Sequence, residues 1–367
     1  MKKKIICYFL ILICTCHLLV NAKEKIPYID ARSAIAIDSE SKIVLYEKNA
    51  YMPIPMASTT KIMTCLVALN YGKLDEKLEV SSKAASIRGA EIGYKKGEKI
   101  SLEELLYGLM MKSGNDAAIT IAEGIGGSID GFSKMMNEYA MQIGLLNSNF
   151  ESPHGLDSAN HYTSAYDLAV LTSVAMENPK FKEIVSCRNI SEQEKNFTRP
   201  FKNINKILHI IPNANGVKTG YTGQAGKCLV TSVELKNRNI IIVTLNCTPR
   251  WKETTRIYEY VENNYEFKDL VEEGKELEEV FVENSTYTCK LVCPQKLNIP
   301  IKKGKDATIK VIKPEKIFAP IEKNELVGHL EIWSEDKCIY NMELQSKDKV
   351  NSSNKVKLMI RDFIRRE

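Results

Sequence analysis

The stretch from Pro55 to Leu69 constrains the fold more than any other, because hardly a face of it suits water. From Lys61 on it carries Ile62, Met63, Leu66, Val67 and Leu69, which wrap most of the circumference of a helix. A helix that is apolar nearly all round is a central, covered helix. Its polar residues collect at the N-terminal end, where the first backbone N–H groups lack an intrahelical partner. Ser58 and Lys61 are three apart and share one face of that first turn. A hydroxyl, an amine and a helix N-terminus in one place can make a nucleophile. An N-cap serine beside a solvated lysine is the plainer reading of the same residues. The Ser-x-x-Lys spacing recurs at Ser39/Lys42, Ser334/Lys337, Ser346/Lys349 and Ser352/Lys355, each in polar, turn-like sequence. Only Ser58/Lys61 opens a long apolar helix.

The ends of the chain read differently from its middle. Met1 to Lys4 is basic, Ile5 to Val20 is apolar, and Val20-Asn21-Ala22 offers small residues. That is the form of a secretory signal peptide, with cleavage expected after Ala22. A retained anchor helix is the secondary reading, since the run is short for a full span. Cys14 and Cys16 follow Ile13 and Thr15, not the small residue that a lipidation site requires. The formal net charge is +5, and the signal holds three lysines and no acid, so the remainder stands at +2. So small an excess makes no case for a nucleic-acid partner. Seven of the ten cysteines lie beyond residue 22, an odd number that cannot all pair internally. There is no CxxC and no histidine cluster at ligand spacing, so no metal is expected. Cys65, Cys228 and Cys247 sit in apolar text and read as small buried hydrophobes.

Taken in order, Ser33 to Ile37 and Lys42 to Tyr46 form a hairpin. Residues 73 to 100 are polar and glycine-punctuated, expected as loops with short strands. Ser101-Leu102-Glu103-Glu104 is a capping box opening a helix through Met111. Helical patterns follow at Ala117 to Ala122, Ile129 to Ile143, Ala165 to Met176 and Thr255 to Tyr265. Cys228 to Leu235 and Ile240 to Leu245 make a second hairpin, apolar enough to be central in a sheet. From about Leu270 short alternating strands predict a small all-β domain: Thr286 to Cys293, Thr308 to Ile312, Gly328 to Trp333 and Ile339 to Leu344. The last residues place Val356, Met359, Ile360, Phe363 and Ile364 on one helical face, with Lys357, Arg361 and Arg365 opposite.

Two more motifs bear on Ser58. Ser113-Gly114-Asn115 falls on a tight turn between two helices, and Lys218-Thr219-Gly220 leads through Tyr221 towards the apolar hairpin. Taken singly they read as a helix C-cap plus N-cap and as a turn into a strand. In the order Ser-x-x-Lys, Ser-x-Asn, Lys-Thr-Gly they are specific. With these motifs the sequence resembles the penicillin-recognising serine enzymes, and within them the low-molecular-mass penicillin-binding proteins that are serine-type D-alanyl-D-alanine carboxypeptidases. The resemblance extends to Leu105-Leu106-Tyr107-Gly108-Leu109, Asp116-Ala117-Ala118, Pro153-His154-Gly155-Leu156, Thr163 to Ala169, Gly216-Val217 and Ala225-Gly226. It also takes in Ala319-Pro320-Ile321 and Val327-Gly328 of the β-domain.

The resemblance implies an α+β fold: a β-lactamase/transpeptidase-like domain, with an antiparallel sheet flanked by helices, followed by a small all-β domain. The expected division is a signal peptide over 1–22, a serine peptidase domain over 23–267, a β-domain over 268–346, and a linker with amphipathic tail over 347–367. It implies Ser58 as nucleophile, Lys61 as its base and Ser113 as a proton relay. Asn115, Lys218, Thr219, Gly220, Tyr221 and Arg250 would bind the substrate, a peptidoglycan stem peptide ending in D-Ala-D-Ala. Backbone N–H groups of Ser58 and Tyr221 would hold the oxyanion. β-Lactams would acylate the same serine, no cofactor is needed, and the basic tail would rest on a membrane surface. Where many relatives carry an arginine ahead of the Lys-Thr-Gly strand, this chain has Asn203-Ile204-Asn205-Lys206. His154 and His161 are expected as satisfied structural histidines. A class A-like β-lactamase shares these motifs but uses a glutamate to activate the deacylating water. The place of that glutamate, before the four Leu-Asn pairs, is held by Leu66, Ile143, Ile242 and Pro294. A D,D-transpeptidase would use an amine in place of that water, and the motifs admit it. A catalytically silent wall-binding protein would have no need of Ser58, Lys61, Ser113, Asn115, Lys218 and Thr219 all intact.

Overall fold

A computed structural model describes residues 26–357. The segment read as a signal peptide lies outside the described residues, as does the tail beyond residue 357. Five antiparallel strands form the central sheet, in the order Val44–Lys48, Ser33–Asp38, Arg238–Leu245, Gly226–Leu235, Ala214–Thr222. The two apolar strands expected at the centre are there. Side chains alternate across a strand, and here both faces are covered. Ile241, Val243 and Leu245 enter one core, while Ile240 and Ile242 enter another. Two-sided burial explains why this stretch reads as a continuous apolar run. Each fully buried Ile or Val contributes roughly 1.5–3 kcal/mol.

The first core packs the sheet against the helical cluster. At its centre is the helix Lys61–Tyr71, in which every residue from Lys61 to Ala68 is buried. Around it stand Asn115–Gly126, Ile129–Gln142 and Ala165–Ala175. The second core packs the other face against the helix Arg250–Asn264 and continues without a break into the C-terminal strands through Tyr265, Val271, Leu297 and Leu330. Those strands form a six-stranded sheet and a two-stranded ribbon, Tyr265–Val271 with Leu297–Lys302. The ribbon strand Tyr265–Val271 runs across the junction expected at 267/268.

Several local expectations need correcting. The apolar helix does not begin at Ser58: a 3-10 turn, Ala57–Thr60, precedes it, and no side chain caps that turn. The capping box at Ser101 is only half made. Its hydroxyl accepts the Glu104 N–H, but the Glu104 carboxylate is drawn away to Tyr94 and Thr198. That helix, Leu102–Tyr107, gives way to a π turn over Gly108–Lys112. The polar stretch 73–100 contains a short helix, Ser82–Ala85, capped by Ser81. A helix at Pro179–Ser186, unread in the sequence, has both a capping Asn178 and a proline in its first turn. All seven described cysteines are free thiols. Five are buried, Cys187 is half-buried and Cys338 is exposed.

Candidate active site

The chain enters the 3-10 turn through Ala57, whose φ of 51° lies in the left-handed region. For a residue with a Cβ this costs about 1–2 kcal/mol, and neighbours on three sides hold it. The Thr60 hydroxyl donates to the Ala57 carbonyl at 2.8 Å, and the Thr59 hydroxyl to the Met56 carbonyl at 2.6 Å. Gly155 packs so closely that an added Cβ would lie 2.1 Å from the Ala57 oxygen. The turn therefore presents Ser58 with its hydroxyl unused by the helix.

Lys61 is fully buried, and its Nζ lies 3.1 Å from Ser58 Oγ, 2.8 Å from Asn115 Oδ1 and 2.7 Å from the His154 carbonyl. The last two are oxygens that can only accept. They take two N–H bonds and leave the third direction of the nitrogen aimed at the serine. Burial and the neighbouring charge of Lys218 pull the Lys61 amine well below its ordinary range, against the opposing pull of Asp116. A neutral lysine with two N–H bonds engaged points its lone pair at Ser58 Oγ.

Ser113 and Asn115 come from the turn that ends the π segment. Ser113 is buried and left-handed, with φ 67°. Asn115 starts its helix. Its Nδ2 donates to the Arg88 carbonyl at 2.9 Å and its backbone N–H to the Ala90 carbonyl at 2.7 Å. Asp116, also buried, accepts the N–H groups of Ile92, Gly93 and Tyr94 and so pins the same loop.

The strand Ala214–Thr222 forms the opposite wall. Lys218 is buried, and its Nζ donates to the Thr219 carbonyl at 2.8 Å. Burial, with Arg250 nearby, lowers its amine to about 7. Thr219 is buried and Tyr221 is exposed. At Gly220 a Cβ would stand 3.1 Å from both the Ser58 nitrogen and Ala57 Cβ, so its absence lets the strand approach the Ser58 N–H. Arg250 reads in the sequence as a substrate-side arginine. Its Nη1 is engaged with main chain, donating to Gly220 O at 2.7 Å and Cys228 O at 3.0 Å.

The structure thus joins Ser58, Lys61 and Asn115 directly, sets Gly220 beside them, and ties Arg250 to Gly220. Ser113 joins through its neighbour Asn115, and Lys218 through its charge. Sequence reasoning missed the His154 carbonyl, a backbone group with no sequence signature. It also missed Thr60 and Gly155, whose signal was the family text around them. Both histidines are engaged, and burial holds His154 at about 3 and His161 at about 4, so both are neutral near pH 7.

A serine hydroxyl on a buried lysine, between an antiparallel sheet and a helical cluster, defines a serine hydrolase. Residues 20–248 match the D-alanyl-D-alanine carboxypeptidase family, and residues 265–352 match the C-terminal domain of penicillin-binding protein 5. The chain belongs to the D-alanyl-D-alanine carboxypeptidase family. It is 35% identical over 290 residues to a Bacillus subtilis D-alanyl-D-alanine carboxypeptidase, DacF, covering 76% of this chain and 74% of the relative. Penicillin-binding protein 5 from Haemophilus influenzae superposes with a TM-score of 0.79 at 28% identity, over 89% of this chain and 99% of that one. A Streptomyces DD-transpeptidase superposes with a TM-score of 0.61 at 30% identity, over 64% of this chain and 98% of that one.

Proposed function

We propose that the chain is a serine D-Ala-D-Ala carboxypeptidase that trims the terminal D-alanine from peptidoglycan stem peptides. The observation that carries this reading is the set of three oxygens around Lys61 Nζ, two of them obligate acceptors and the third Ser58 Oγ. Ser58 Oγ attacks the carbonyl carbon between the two D-alanines, and its proton passes to Lys61 Nζ. The N–H groups of Ser58 and Tyr221 stabilise the oxyanion. The C–N bond breaks, the leaving amine takes a proton relayed through Ser113, and D-alanine departs. Water then attacks the ester, returning the proton to Ser58. Asn115 holds Lys61 and offers its second N–H to the substrate amide. Lys218 and Thr219 receive the terminal carboxylate. Gly220 admits the peptide, and Arg250 acts by fixing the Gly220 carbonyl and adding positive field.

β-Lactams would acylate the same serine, and no metal or organic cofactor takes part. Incubating the purified protein with a penicillin should give one adduct, mapped to Ser58 by intact mass and peptide analysis and lasting minutes or longer. Ser58→Ala should abolish it and lower peptidase turnover by on the order of 10³ to 10⁶. Rapid drug turnover would instead favour a β-lactamase, and no adduct a silent wall-binding protein.

The signal-like segment and the basic tail support secretion, with the tail over 355–367 resting on a membrane surface beyond a peptidase domain over 23–267 and a β-domain over 268–346. Among the described residues no helix is long and apolar enough to cross a membrane. Removing residues after Asn351 should move the protein from the pellet of anionic liposomes to the supernatant, with activity unchanged. A full-length, signal-cleaved protein that never pellets would refute the tail's role.

A further inference from the structure

His161 belongs to none of the three motifs, yet it lies one hydrogen bond from the turn that presents Ser58. It is 3% exposed and packs edge-on to Phe150. Its Nδ1 accepts the Glu151 backbone N–H at 2.9 Å, and its Nε2 lies 2.7 Å from Thr60 Oγ1. The proton directions follow from what each group can do. The Glu151 N–H can only donate, so Nδ1 is bare and Nε2 carries the ring proton. The Thr60 hydroxyl spends its single proton on the Ala57 carbonyl, so it accepts from Nε2. The chain of bonds ends on the one residue of the turn with left-handed backbone, directly before Ser58.

We propose that His161 is a positioning residue for acylation: as the neutral Nε2–H tautomer it holds the Thr60 hydroxyl on the Ala57 carbonyl and so fixes the turn that aims Ser58 and its N–H. The inference rests on acylation at Ser58. Nothing on Thr60 alone decides which way its hydroxyl turns. With Nε2–H beside it, rotation towards the ring would set two protons face to face, so the bond to Ala57 is the one left. The Ala57 oxygen is also pressed by Gly155, which leaves the turn little room to relax elsewhere.

The arrangement has a definite point of failure. An imidazolium carries a proton on both nitrogens and cannot accept the Glu151 N–H. The groups that face the ring are Glu151 and Asp157 from its own loop, which favour its charge, and Lys61 from the central helix and nearby His154, which oppose it. Burial outweighs the two carboxylates and draws the imidazole down to about 4, below its ordinary value of about 6.5. The positioning chain therefore keeps both ends near neutrality and loses its Glu151 anchor as the pH falls towards 4, leaving the ring held only at Thr60.

The test compares wild type, His161→Phe and His161→Gln in the pre-steady-state acylation of a chromogenic penicillin, with thermal melting as a control. Misplacing a reacting group by about an ångström can cost on the order of 10²-fold. His161→Phe should lower the acylation rate constant about 10- to 100-fold while the preceding binding constant stays within about threefold. Glutamine can accept from Glu151 with Oε1 and donate to Thr60 with Nε2, so His161→Gln should recover most of the loss. From pH 7 to 4, where about half of the wild-type imidazole is charged, the ratio of His161→Gln to wild type should rise up to about twofold. Protonation of Lys61 slows both proteins. A flat ratio, or wild-type acylation by His161→Phe, overturns the proposal. If His161→Phe does not fold, Thr60→Val, which removes the hydroxyl that the ring orients, takes its place and should show the same loss. A wild-type chain that forms no adduct sinks both this inference and the Ser58 reading, whereas acylated wild type with a flat ratio sinks this one only.

Discussion

Lys61 on the helical wall has three oxygens within 3.1 Å, whereas Lys218 on the strand wall donates to the carbonyl of its own neighbour Thr219. Both amines are buried, and both are drawn below their ordinary range by that burial. In the proposed mechanism the same desolvation serves two different kinds of work. An amine whose protons are committed to fixed acceptors is oriented, and orientation is what proton transfer requires. A buried amine with so little counter-charge is poised to gain an anion, because a partner carboxylate offsets the cost of taking its own charge out of water. The lesson is that burial alone does not tell a base from a binding cation; the partners do.

The sharpest way to break this contrast is to remove each lysine and compare a peptide ending in D-alanine with one ending in D-alanine amide. Lys61→Ala should lower kcat/KM by roughly 10⁴-fold on both peptides, since a missing base harms any acylation. Lys218→Ala should lose about 30- to several-thousand-fold on the acid, the range for leaving a partly buried carboxylate without its cation. On the amide, a poor substrate for both proteins, the gap should shrink. Equal penalties on acid and amide would mean that Lys218 acts chiefly through the charge state of Lys61.

The smallest effect is in pH. kcat/KM reports the ionisations of the free enzyme. Lys218 must be protonated to meet a carboxylate, and with its amine near 7 it is charged below that pH and neutral above it. For the acid peptide, kcat/KM should therefore decline above pH 7, by at most about tenfold per unit. The amide peptide, and Lys218→Ala with either peptide, should lack this alkaline limb. A wild-type profile on the acid peptide that stays level to pH 9 would remove the carboxylate role.

The sequence made the architecture legible where pattern and burial agree. The all-round apolar helix is central, the double apolar run fills the middle of the sheet, and the C-terminal strands form a separate β-sheet. It was less legible where a local signal lost to a tertiary partner. Glu104 has the spacing of a capping-box residue, but Tyr94 and Thr198 claim its carboxylate. Ser58 has the chemistry of an N-cap, but it sits inside a 3-10 turn and its hydroxyl meets Lys61. Arg250, five residues ahead of the helix expected from Thr255, is the first residue of that helix, and its Nη1 is spent on two main-chain carbonyls. The third oxygen on Lys61 comes from a backbone 93 positions away, which no spacing rule could supply.

The seven free thiols carry a consequence for how the chain reaches this form. Most of them fill space among apolar neighbours, as Cys65 and Cys228 do on either side of the cleft. Shape is therefore set by packing and not by cross-links, and among the described residues no oxidation step stands between the unfolded and the finished chain. A polypeptide of this kind can close in a reducing or an oxidising medium alike, without an isomerase to sort its bridges. The hazard runs the other way: an oxidant that reaches Cys338, the one exposed thiol among the described residues, could couple two copies while the cleft stays untouched.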